Sequence, residues 1–252
     1  MSNMEPDREI VETLTALRTA HFDGGGIACD YAALRASRER GRLAACLAGL
    51  EAFDPKGVRI GAQTTFWVNV FNATVVRDSP ELELASGEGD FQAFFGRKRL
   101  KIVGHMFSLD DIHHGLLRGN LPGHGHLRAP MSRDDPRLAY MPIAYDERIH
   151  FAMYTATHSS PALKVFDGGR LDVQLEAAAL SYIQRTAHIE RDGAVVVAPK
   201  LLQWYAKDFG GEGGVLNFVL GRLDDESVEK ADRYRGREKL KFADFDWTLN
   251  RR

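Results

Sequence analysis

Apolar residues set the first element of the chain: Ile10, Leu14 and Leu17 recur at helical spacing behind an acidic first turn, and Gly24-Gly25-Gly26 then breaks the pattern. Residues 30–52 predict a second helix with Tyr31, Leu34, Leu43, Leu47 and Leu50 turned inward. A third, across 61–77, puts Phe66, Val70 and Ala73 on one side and Asn69 and Asn72, three apart, on a neighbouring face. Residues 80–98 read as irregular around Phe91, Phe94 and Phe95, and 101–107 as a strand. Ser108 is then the N-cap of a helix from Leu109 to Arg118, with Asp110 and Asp111 in its first turn suiting the dipole. Ile149, Phe151 and Met153 alternate with His150, Ala152 and Tyr154, which predicts a strand with one apolar face and one carrying an imidazole and a phenol. Further on come a core helix over 171–183, a hairpin over 188–198 turning at Asp192-Gly193, a helix over 200–209 and a short apolar helix over 214–220. The charged tail of 224–239 reads as exposed, with Phe242, Phe245 and Trp247 docking its end back.

These elements predict an α+β fold, a small mainly antiparallel sheet with helices packed around it, in one domain over 1–252. Residues 1–55 form a helical N-terminal addition to a core over 55–252. Composition agrees: 252 residues, 44% hydrophobic and 27% charged, suffice for a sizeable core. A net charge of -2 gives no footprint for nucleic acid or an anionic membrane. The opening residues are polar and acidic without the apolar centre of a secretory signal, no stretch is long enough to span a bilayer, and the expected location is cytoplasmic. Two cysteines, Cys29 and Cys46, provide neither a disulfide framework nor a four-cysteine zinc site.

Chemistry concentrates after Tyr154, where Thr155, Thr157, His158, Ser159 and Ser160 crowd against Pro161. The same hydroxyls could equally satisfy the backbone of a tight turn. Asn69 and Asn72 need partners if buried, and serve either to lock a loop onto their helix or to line a polar site. His113 and His114 on the helix, with His124 and His126 in the glycine-rich loop beyond, raise a zinc site as an alternative, although their spacing fits no zinc motif.

Five blocks in order resemble the family called domain of unknown function 547: residues 66–73 (Phe-Trp-Val-Asn-Val-Phe-Asn-Ala), 107–118, 146–161, 204–210 and 246–250. The resemblance implies a papain- or transglutaminase-like fold, in which a nucleophile on a helix or loop faces a histidine. It also implies cysteine at the positions of Thr155 and Ser160 and an acidic residue at that of His113. Asn69, Asn72, His114, Arg118 and His150 match the pattern. A thiolate is nucleophilic near neutral pH, whereas a hydroxyl needs a well-placed base.

Three expectations follow. In the first the chain is a hydrolase or acyl transferase, with Ser160 or Thr155 as nucleophile, His114 or His150 as base, and Asn72 orienting the imidazole or donating to an oxyanion. Asn69, Arg118, His158 and Ser159 would then contact a small-molecule or peptide substrate. In the second it is an inactive binding or scaffold protein with a protein or small-molecule partner. In the third, histidines hold a metal ion. No other cofactor is expected, nor nucleic acid or membrane as a partner.

Overall fold

The computed structural model describes residues 6–85 and 87–252. The polar start read above as lacking a secretory signal lies largely, at residues 1–5, outside the described residues. By contact the chain divides into two compact units, one running up to Gln174 and including Trp247–Arg252, the other Leu175–Asp246.

In the first unit the helices α1 (Pro6–His21), α2 (Tyr31–Ala36) and α3 (Arg38–Gly49) precede a long helix α4 (Gln63–Asp78). The expected helix over 30–52 is interrupted at Ser37, whose backbone is extended; its hydroxyl accepts from Glu39 N and so starts α3. Ile10, Leu14, Leu17, Leu34, Leu43, Leu47 and Leu50 are all buried, as their spacing predicts. α4 is buried on nearly every side from Thr65 to Val76, the burial expected of a central helix apolar all round. Residues 88–96, read as irregular, form a helix, α5 (Glu88–Gly96), because Phe91 and Phe94 lie three apart and share one inward face. The single strand expected over 101–107 is two, β1 (Leu100–Ile102) and β2 (His105–Phe107), paired antiparallel around Val103 and Gly104, both at positive φ.

The strand expected over 149–153 is absent. Residues Glu147–Phe151 form a 3-10 turn, capped by Asp146, whose carboxylate accepts from Arg148 N at 2.9 Å and from the Arg148 guanidinium at 3.0 and 2.7 Å. The alternation misled because every residue from Ile149 to Tyr154 is buried, so no polar face existed for a period of two to mark.

In the second unit β3 (His188–Glu190) and β4 (Val195–Ala198) form the expected hairpin around Asp192 and Gly193. β5 (Lys239–Phe242) adds to β4 in parallel, and so Phe242, at the end of the charged tail, lies in sheet. This unit also holds the helices α7 (Lys200–Trp204), α8 (Glu212–Leu220) and α9 (Asp225–Asp232) and most of α6 (Leu171–Thr186). The α+β class therefore holds, with small, mainly antiparallel sheets. No described helix is long and apolar enough to cross a membrane.

Candidate functional site

The polar residues singled out in the sequence separate into three local structures, all in the first unit. The first is a clamp. Asn72 donates to Ala152 O at 2.9 Å and Lys164 O at 3.3 Å, and accepts from Tyr154 N at 3.0 Å. Asn69 donates to Phe166 O at 2.8 Å and accepts from Phe166 N at 3.0 Å. One turn of α4 thereby ties down irregular backbone that has no strand to pair with.

The second is the loop after Tyr154. Ser160 is 2% exposed; its hydroxyl accepts from Thr155 N at 2.9 Å and donates to Pro161 O at 2.7 Å. The hydroxyls of Thr155 and Thr157 lie 3.2 Å apart. Ala156 between them sits at φ 61°, a left-handed conformation that costs an alanine about 1 kcal/mol. The loop is held from outside as well: His158 N donates to Thr248 O, and Asn250 N to Ala156 O. Asn250 in turn accepts from the phenols of Tyr31 and Tyr154, and its amide donates to Ile27 O. His158 is exposed and Ser159 half-buried.

The third is an imidazole cluster on a π-helix, Asp111–Leu117, whose wide turn is closed by Arg118 N donating to His113 O. Ser108 starts it with a reciprocal cap, its hydroxyl accepting from Asp111 N at 3.0 Å while Ser108 N donates to the Asp111 carboxylate at 2.7 Å. The rings of His113 and His114 stack with centroids 4.2 Å apart. His113 Nε2 lies 3.2 Å from His150 Nδ1, and His150 Nε2 lies 3.4 Å from the Tyr145 hydroxyl. Burial first, then the neighbouring His114, His150 and Arg118, hold His113 well below the usual histidine range, so it is a neutral imidazole. Arg118 is buried, with its guanidinium donating to Pro122 O.

The outer edge of this cluster opens into a cleft of about 540 Å³ lined by Lys98, Asp110, Asp111, His114, His126 and Arg128, among others. The two adjacent aspartates have diverged in role. Asp111 is buried and accepts from Ser108 N, Lys98 and Arg137. Asp110 faces the cleft with its side chain 30% exposed and its nearest basic atom, His114 Nε2, 3.9 Å away. Burial pushes its carboxyl up to about 6; His126 and Lys98 pull against that and Asp111 adds to it. Among the described residues no group of three or more His, Cys, Asp or Glu side chains is placed to hold a metal ion, so the histidine-metal expectation gains no geometry.

Of the expected site residues, Ser160 bonds to Thr155, His150 meets His113, which was named only for the metal alternative, and Asn69 and Asn72 bond to main chain. Sequence reasoning missed Asp110 and Lys98 as cleft residues, and Tyr145 as a partner of His150. Asp110 and Asp111 look alike in sequence; the cap of Ser108 and the bonds from Lys98 and Arg137 set the second apart.

Comparison with curated proteins and with solved structures found no match for the chain. The family described as "Protein of unknown function, DUF547" matches residues 56–183. That span includes three of the five blocks, with residues 204–210 and 246–250 beyond it. With half of its length matched, including α4, the π-helix and the loop of Ser160, the chain belongs to the DUF547 family.

Proposed function

We propose that the chain is a binding protein, in which the hydroxyls of Thr155 and Ser160 serve the fold and the cleft beside the π-helix holds the ligand. One observation carries this reading: the Ser160 hydroxyl is buried, its hydrogen donated to Pro161 O and its oxygen accepting from Thr155 N. A serine nucleophile instead gives its hydrogen to a base and presents its oxygen to a substrate. The cleft supplies what a binding site needs: a concavity with a few converging polar groups.

The hydrolase or acyl-transfer reading draws support from the neutral imidazole of His113, 3.2 Å from His150 and in the form of a general base. One experiment separates the two. Wild-type protein, Ser160→Ala and Thr155→Val are treated with a fluorophosphonate probe and with activated phenyl esters. The binding reading expects no labelled peptide and ester turnover equal among the three proteins. Labelling at Ser160 or Thr155, or turnover that either substitution abolishes, overturns it.

A further inference from the structure

The cleft has a wall of unusual construction. Residues 120–131 form a compact loop whose ends are joined by the Asn120 side chain, which donates to Met131 O at 3.0 Å and accepts from Met131 N at 3.2 Å. Inside that neck, Leu121 N donates to His114 O, and the Arg118 guanidinium to Pro122 O. Gly123 lies so close to His114 that a side chain there would come within 2.7 Å of the ring. The neck is thus fastened to the π-helix, and the cleft is a preformed concavity.

Charge accounting then defines what fits. Asp111 is shared between Lys98 and Arg137, and Arg137 also pairs with Asp135, so these four charges balance one another. Arg128 is exposed on the loop and makes no ion pair among the described residues. Asp110 has no hydrogen-bond donor in reach among the described residues, its closest basic atom being His114 Nε2 at 3.9 Å. A desolvated carboxyl with no donor is most stable as the neutral acid, and then needs an acceptor. With Asp110 in that form, Arg128 is the uncompensated charge lining the cleft beside it, so a cation would meet net repulsion there and an anion net attraction.

We propose that this cleft binds a small oxyanion, a carboxylate or a phosphate-like group, which pairs with the Arg128 guanidinium and accepts a hydrogen bond from the acid form of Asp110. The proposal rests on the reading of the chain as a binding protein, and names the ligand class of that site. Binding of the anion takes up a proton at Asp110. Because that carboxyl titrates at about 6, affinity falls about tenfold from pH 5 to pH 7. Ser108 is spent on the cap of Asp111 and does not titrate; Lys98, Arg128 and Arg137 stay charged throughout. His114 and His126 are the other ionisable groups that line the cleft with Asp110.

Titration calorimetry with lactate as the carboxylate probe and sulfate as the phosphate-like probe, neither of which titrates between pH 5 and 7, tests this; cadaverine is the cationic control. Saturable binding of lactate or sulfate is expected, tighter at pH 5, and whichever binds identifies the anion. Arg128→Ala weakens it tenfold or more. Asp110→Asn, whose amide donates at every pH, keeps the binding and loses most of its pH dependence. Absence of binding by both anions, binding of cadaverine in their place, or an Asp110→Asn protein with the wild-type pH dependence each overturns the proposal. Fluorophosphonate labelling of Ser160 would sink the underlying reading while leaving anion binding intact, so the two failures are distinguishable.

Discussion

Replacing Asn72 by alanine tests whether its amide belongs to the fold. The side chain is fully buried and satisfies Tyr154 N and Ala152 O at normal hydrogen-bond distances, and Lys164 O at a longer 3.3 Å. Alanine leaves the first two orphaned in the interior, at about 1–3 kcal/mol each. The third bond is weaker and part-buried, and adds little. The vacated volume of the carboxamide adds about 1 kcal/mol, for an expected loss of roughly 3–7 kcal/mol. Urea unfolding followed by tryptophan fluorescence measures the total, since Trp67 lies buried on the same helix. Native-state hydrogen exchange at the Tyr154 amide locates it, because that hydrogen loses its partner. Asn72→Asp keeps the acceptor for Tyr154 N but loses the donor and buries a charge, so it should fare no better than alanine. A loss below about 1 kcal/mol with the Tyr154 amide still protected would refute the clamp, since orphaned backbone groups cannot be that cheap.

Ser160→Ala removes the acceptor of Thr155 N and should cost about 1–2 kcal/mol in the same unfolding assay while leaving lactate or sulfate binding unchanged. Asn250→Ala strips a shared acceptor from the phenols of Tyr31 and Tyr154 and a donor from Ile27 O, for an expected loss of about 2–4 kcal/mol, and the last residues of the chain become sensitive to carboxypeptidase. Asp110 titrates at about 6 in the folded chain against an ordinary 3.8, so between those values the unfolded chain releases a proton that the folded chain keeps. Stability therefore falls as pH rises through that window, by at most about 3 kcal/mol for two units, and less because the group is partly exposed. Asp110→Asn should match the wild type near pH 4 and exceed its stability at pH 7; a gap that does not change with pH removes the basis for a desolvated acid. His113 works in the opposite sense: held neutral when folded, it takes a proton only on unfolding below about pH 6.5. His113→Gln should flatten the loss of stability on acidification, read from urea midpoints against pH.

Where one face of an element was wet, its pattern was legible: α1 shows Ile10, Leu14 and Leu17 inward, and the β3–β4 hairpin turns at its Asp-Gly signal. The asparagines on α4 were legible as groups needing partners, though the partners, Ala152, Tyr154 and Phe166, lie some 80 to 97 residues away in irregular backbone. The elements around the site were the ones obscured. Both faces of 149–154 are buried, so alternation carried no information, and the local cap in which Asp146 accepts from Arg148 N starts a 3-10 turn there instead. A π-turn has no periodic signature, and it brings the sequence neighbours His113 and His114 into stacked contact. Asp110 was read as a helix-dipole residue; its distinct environment depends on the loop of residues 120–131 folding back against His114.

The hydroxyl at position 160 makes physical sense in a loop of this shape. Ala156 holds a left-handed conformation, and the backbone around it must recover that strain through bonds to its neighbours. Thr155 N, Ser160 N and Ala156 O are each met, by Ser160 Oγ, Thr157 O and Asn250 N. A serine oxygen is a much better acceptor for Thr155 N than a sulfur, and its hydrogen closes the second bond to Pro161 O. The same atom that would be a poor nucleophile without a base is therefore well suited to pinning the turn. Ser160→Cys separates these properties. A weaker acceptor at this position should lower stability by about 1 kcal/mol. If instead the cysteine protein is as stable as wild type and reacts with iodoacetamide in the folded state, the loop admits reagent and the hydroxyl is not the closed clamp described.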